Sequence, residues 1–121
     1  MTTTTHTSID GGALRRAVAS RDAEAIAALY TDDATVEIVD AGNPPSAPLV
    51  LRGATEIAER LRDVYARDMT HEVDVVSVSP DAMGFTVRCR YPDGGRVLCS
   101  SLAELRDGRI ARETILQVWD A

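Results

Sequence analysis

The succession of apolar patterns predicts an α+β fold in which helices cover one face of a curved, mostly antiparallel sheet. Three observations carry this. Helical spacing of apolar residues is confined to the chain before Met69. After Met69 the pattern changes to period-two runs separated by tight turns. One long helical segment precedes those runs, and a bent sheet wrapped over a long helix encloses a cone-shaped hollow.

Each element follows from its own residues. From about Ile9 to Ser20, Leu14, Ala17 and Val18 recur at helical spacing. Asp22 is placed to cap a second helix running to Tyr30, with Ile26, Leu29 and Tyr30 as its apolar stripe. Asp32 and Asp33 are expected at that helix end, before "ATVEIV" alternates as a strand. "DAGNPPSAP" is a loop, because its prolines remove donors and bias the residues before them to extended geometry. "LVLRG" is a short strand, and Thr55 opens a third helix with Ile57, Leu61, Val64 and Tyr65 on one face. "HEVDVVSVS", "GFTVRCRY", "RVLCSSLAEL" and "IARETILQVW" are four strands joined by "PDA", "PDGG" and "DGR" turns.

The 121 residues suit one domain, with 45% apolar and 26% charged residues. Such a chain buries roughly two thirds of its unfolded surface, so a ligand site has to be carved from the core or from a dimer contact. The expected organisation is a mobile Thr-rich leader, residues 1–7, and one domain over 8–121. Nineteen acidic against 13 basic residues give a net charge of −6, which argues against a nucleic-acid partner, since that binding rests on clustered cations. Every cation is arginine, which excludes a Schiff-base lysine. No run reaches the roughly 18 apolar residues of a membrane span, and the opening residues lack the pattern of a signal peptide. The chain therefore reads as cytoplasmic, with no membrane partner.

Cys89 and Cys99 flank a hairpin turn. A three-residue loop would oppose them, whereas a two- or four-residue loop puts them on opposite faces; in either case two free thiols are expected. No Cys/His spacing resembles a zinc site, because His6 lies in the leader and only His71 remains. Neither a metal nor an organic cofactor is expected. "PDGG" and "DGR" do not open helices, as phosphate loops do, and read as hairpin turns.

"RDAEAIAALYTDDATVEIVD", then "LRGATEI", "FTVRCRY", "LAELRDGRI" and a terminal "WD" resemble the nuclear transport factor 2-like superfamily, which shares the cystatin-like fold. The style is nearest its SnoaL-like branches, related to ketosteroid isomerase. The resemblance implies a conical α+β barrel with a mostly apolar internal pocket, usually in a homodimer. It also implies a small organic ligand, and members include isomerases, polyketide cyclases, epoxide hydrolases, dehydratases and proteins that only bind.

In the isomerases the general base is an aspartate directly after a motif like "ATVE", and the position here is Ile38. The oxyanion-hole positions fall on Leu14 and Leu102. Hydrocarbons at all three neither take a proton nor donate to an enolate, so steroid isomerisation by that mechanism is not expected. Those three, with Phe85, become expected apolar lining. The epoxide hydrolase branch needs an Asp-Arg-Asp relay, and "VRCRY" supplies Arg88 and Arg90 without the aspartates.

Among the carboxylates of "LYTDDATVEIVD", Glu37 points opposite to Ile38, while Asp40 shares its parity and either looks into the mouth of the cone or is a solvated loop residue. The last strand places Ala111, Glu113, Ile115, Gln117 and Trp119 on one face. In the family register this face looks into the cone, and a buried Glu113 would be a general acid or base; on the opposite choice of faces it is solvated. Glu104 and His71 are its candidate catalytic partners, SnoaL-like cyclases using a His and an Asp. Gln117, the only glutamine, and the hydroxyls of Tyr30 and Tyr65 are candidate ligand-orienting groups, and Trp119 a rim or packing residue.

Overall fold

In the computed structural model, which describes residues 9–120, the helices come first and a six-stranded sheet follows. Helix α1 spans Gly11–Ala19 and α2 spans Ala23–Ala27. Strands β1 (Tyr30–Val39) and β2 (Leu49–Arg52) precede helix α3 (Gly53–Ala66). Then come β3 (Thr70–Val78), β4 (Ala82–Arg90), β5 (Arg96–Arg106) and β6 (Arg109–Trp119). The leader, residues 1–7, lies outside the described residues.

The caps are local chemistry. Asp10 accepts from Gly12 N at 2.9 Å, and Asp22 from Ala25 N at 3.1 Å, so each satisfies a backbone donor that the first helical turn leaves free. Helix α2 stops at Ala27, three residues short of the expected Tyr30, which instead opens β1. The cause is tertiary pairing. Ile110 N donates to Leu29 O at 2.8 Å, and Tyr30 pairs with Ile110, so β6 draws this segment into the sheet. An irregularity between Tyr30 and Thr35 accommodates Asp32 and Asp33, both exposed. They do not end a helix, as expected; Asp33 accepts from Thr31 Oγ1 and pairs with Arg106 at 2.6 Å.

The sheet order is β2-β1-β6-β5-β4-β3, antiparallel throughout except for the parallel pairing of β1 with β6. That parallel pair sets the end of the chain beside its first strand and brings Glu113 opposite Val36. Between β5 and β6, Asp107 and Gly108 both have positive φ (53° and 75°) in a two-residue loop, as the twist of a tight hairpin requires.

Helix α1 packs on β3, and α3 packs on α2, β1 and β2. The core fills the space between them. Leu14 and Val18 (α1), Ile26 (α2) and Ile57 (α3) meet Ala34, Val36, Ile38, Met83, Val87, Val97, Ala103 and Ile110 from the inner face of the sheet. Each large side chain buried this way contributes roughly 1.5–3 kcal/mol. Among the described residues nothing covers the outer face of the sheet, which carries Val75, Leu98, Leu102, Leu116 and Val118, all exposed.

The β4–β5 loop is five residues long, because Arg90 pairs with Arg96. Cys89 pairs with Val97 and Val87 with Cys99, so the cysteines are diagonal neighbours on the inner face, neither directly opposed nor on opposite faces. Both are free thiols.

Candidate functional site

Between the helices and the inner face of the sheet lies a cavity of about 140 Å³. Its wall is mostly aliphatic: Leu14 and Val18, Val36 and Ile38, Ile57 and Leu61, with Phe85 and Ile115. Of the expected apolar positions, Leu14, Ile38 and Phe85 line it, whereas Leu102 does not. Leu102 is 70% exposed on the outer face, because Ser101 and Ala103 are the inward residues of β5.

Into this wall the sheet places one carboxyl. Glu113 is 3% exposed, on the inner face of β6 together with Ile115 and Gln117. Two hydroxyls hold it: Tyr30 donates to Oε1 and Ser101 Oγ donates to Oε2, both through short hydrogen bonds. Tyr30 reaches it because β1 runs parallel to β6, and Ser101 because β5 is the neighbour on the other side. Burial in apolar surroundings pushes the Glu113 carboxyl above the ordinary range, while the hydrogen bonds from Ser101 and Tyr30 pull against that shift. Burial, with the Glu113 carboxylate beside it, pushes the Tyr30 phenol well up, so this hydroxyl stays a donor.

The other expected acids lie elsewhere. Glu104 is exposed on the outer face opposite Arg112, 3.9 Å away; the inward residue facing Glu113 is Ala103. The two carboxyls therefore do not share the cone, and Glu104 is not a partner to Glu113. Asp40 does not look into the mouth. Its carboxylate accepts from Gly42 N at 2.9 Å and Asn43 Nδ2 at 3.0 Å, closing the loop after β1. Glu37 is exposed on the outer side.

His71 lines the cavity from β3, buried. Its Nδ1 lies 3.1 Å from Cys89 Sγ and its ring packs on Tyr65 with centroids 4.6 Å apart, while Nε2 has no partner among the described residues. Burial lowers its pKa, with Arg21 and Arg67 adding to the effect, so the ring is neutral at neutral pH. Two strands, β4 and β5, lie between β3 and β6 in the sheet order, and His71 makes no hydrogen bond to Glu113. Tyr65 lines the cavity from α3, and burial raises its phenol too. Trp119 stands at the rim, 41% exposed.

Ser101 is the functional neighbour that sequence reasoning missed. The signal was present: in the meander register, a Ser lies two residues before the partner of Glu113 on the same face. The irregularity between Glu104 and Leu105, which with the two-residue β5–β6 loop sets this register, was not legible.

The family described as the SnoaL-like domain matches residues 12–113. Solved structures share the fold. A ketosteroid isomerase-like protein from Kribbella flavida superimposes with a TM-score of 0.72 at 19% identity, over 91% of this chain and 75% of that one. A nuclear transport factor 2-like protein of unknown function from Mesorhizobium loti gives 0.74 at 16%, over 87% and 84%. SalBIII, an epoxide hydrolase/cyclase-like enzyme in pyran ring formation of the polyether salinomycin, gives 0.63 at 18%, over 85% and 83%. No curated protein matches the chain.

Proposed function

The chain belongs to the SnoaL-like domain family, and from that premise we propose that it binds a small apolar or amphiphilic, polyketide-like molecule and moves a proton on it without a cofactor. The reaction class is isomerisation, cyclisation or dehydration. One observation carries this reading: a single carboxyl, 97% removed from solvent, is held by two hydroxyls in an otherwise aliphatic cavity. Burial raises its proton affinity towards neutrality, which is what a general acid or base needs. A carboxylate has about four acceptor positions. Tyr30 and Ser101 use one on each oxygen, so a lone pair on each stays free for a substrate proton. Glu113 takes a proton from a carbon next to a carbonyl, or returns it, while the two O–H donors keep the carboxylate oriented and limit its basicity. Ile38 and Leu14 keep water out of the reacting volume.

Glu113→Gln separates this reading from its rival, a ligand-binding protein without turnover, which the occupation of both oxygens by the protein's own hydroxyls favours. The assay is exchange of the α-protons of 1-tetralone in deuterated buffer, followed by proton NMR. An enzyme loses about 10²- to 10⁴-fold of the catalysed exchange with ketone affinity kept. Wild-type exchange no faster than buffer, with the ketone bound, would favour the binder.

The same reading includes a homodimer assembled through the outer face of the sheet. Leu98, Leu102, Leu116 and Val118 form an exposed apolar strip on β5 and β6. Among the described residues no helix is long and apolar enough to cross a membrane.

A further inference from the structure

The cavity has a second polar end. Gln117 lies four residues along β6 from Glu113, which at strand spacing is about 13 Å. Around it runs a diagonal stripe of inward side chains across four strands. His71 pairs with Cys89, Cys89 and Cys99 are diagonal neighbours, and Cys99 pairs with Gln117. Among the described residues Gln117 Oε1 is buried without a hydrogen-bond partner.

Above this end stands Arg60 of α3. It is the one arginine of the chain's 13 that is not exposed, and it lines the cavity. Among the described residues no carboxylate lies within 4.0 Å of its guanidinium, and no carbonyl accepts from it. Arg67, the other arginine of the lining, is held by Asp63 at 2.8 Å. Arg60 lines the same cavity as Cys99 and Gln117, facing the sheet from α3. A half-buried cation without a counter-ion is costly unless something anionic completes it. The chain as a whole carries −6, so only a local cation would draw an anion into this cone.

We propose that Arg60 and Gln117 bind the carboxylate of the ligand, so that the substrate is an apolar carboxylic acid whose reacting carbon lies about 13 Å from its carboxylate. This rests on the reading of the cavity as a ligand site with Glu113 at its reacting end. With Oε1 accepting the S–H of Cys99, its cross-strand neighbour, both N–H groups of the Gln117 amide are available to the carboxylate, and the orphaned acceptor gains a partner. The guanidinium supplies the charge and a two-pronged donor.

The test compares 3-phenylpropanoate with 3-phenylpropan-1-ol, which share an apolar body and differ in the anionic group. Binding is read by calorimetry and by the fluorescence of Trp119, the only tryptophan, at the rim of the same cavity. The wild type is expected to prefer the acid by tenfold or more, with the preference shrinking as salt rises. Arg60→Gln should bind the alcohol as the wild type does and lose the preference, and Arg60→Lys should keep part of it. A wild type that binds both equally, or an Arg60→Gln protein that keeps the preference, overturns the carboxylate assignment and leaves the cavity reading intact. Binding of neither compound by folded wild type overturns both.

Discussion

Replacing Glu113 by Gln should change how stability depends on pH, and the sign follows from the burial of the carboxyl. Its pKa is raised in the folded protein, so between the ordinary value of about 4.3 and the raised one the native state holds a proton that the unfolded chain has released. Stability therefore falls as pH rises through that window and levels off above it. For one group the slope is at most about 1.4 kcal/mol per pH unit. Gln has the same shape and can accept from one hydroxyl while donating to the other, but it cannot ionise. The wild type minus variant difference in unfolding free energy isolates this residue, because the other titrating groups are common to both. Urea unfolding at half-unit steps from pH 4 to 8, followed by circular dichroism, measures it. The wild type should lose ground to the variant with rising pH, at a slope approaching the single-group limit. A flat difference would mean that Glu113 titrates as it does in the unfolded chain. A difference growing in the wild type's favour would mean a carboxylate stabilised by its neighbours, and either result would refute the argument.

Tyr30→Phe removes the donor to Oε1 and should cost about 1–3 kcal/mol in urea unfolding while extending the window of falling stability to higher pH, since one of the bonds that restrain the carboxyl pKa is gone. Ile57→Ala, at a side chain 2% exposed, should cost about 2–5 kcal/mol by the same assay. Leu116→Arg, in the exposed strip on β6, should shift the protein from dimer to monomer in light scattering and leave the monomer folded. Asp40→Ala touches only the loop after β1 and should leave tetralone exchange within twofold of the wild type.

The fold was legible because the elements that set it are strongly periodic. The alternation of "ATVEIV" and of the four late strands needs one buried face, and Ile57, Leu61, Val64 and Tyr65 mark the inner face of α3. The ends were less so. Tyr30 reads as the last turn of a helix from its neighbours, but β6, eighty residues away, captures it into a strand; no local pattern contains that pairing. The same pairing turns an apparent helix-end tyrosine into the donor that holds Glu113. Parity along β6 groups Glu113, Ile115 and Gln117 on one face, because it is a property of a single strand, but it leaves open which face turns inward, which is set by how the sheet packs on the helices. Whether Glu104 or Ser101 meets Glu113 depends on the register between two strands, which the irregularity between Glu104 and Leu105 helps to set. His71 was legible as a strand residue, while its contact with Cys89 and its low proton affinity come from cross-strand packing.

Native mass spectrometry tests the central claim, that the cone holds a small organic ligand, most directly. The protein is purified gently and sprayed before and after exposure to an extract of its source cells. The account predicts one small-molecule adduct per protomer of a dimer, released on collisional heating. A bare chain at every extract concentration would contradict the ligand site and every role assigned here to Glu113, Gln117 and Arg60.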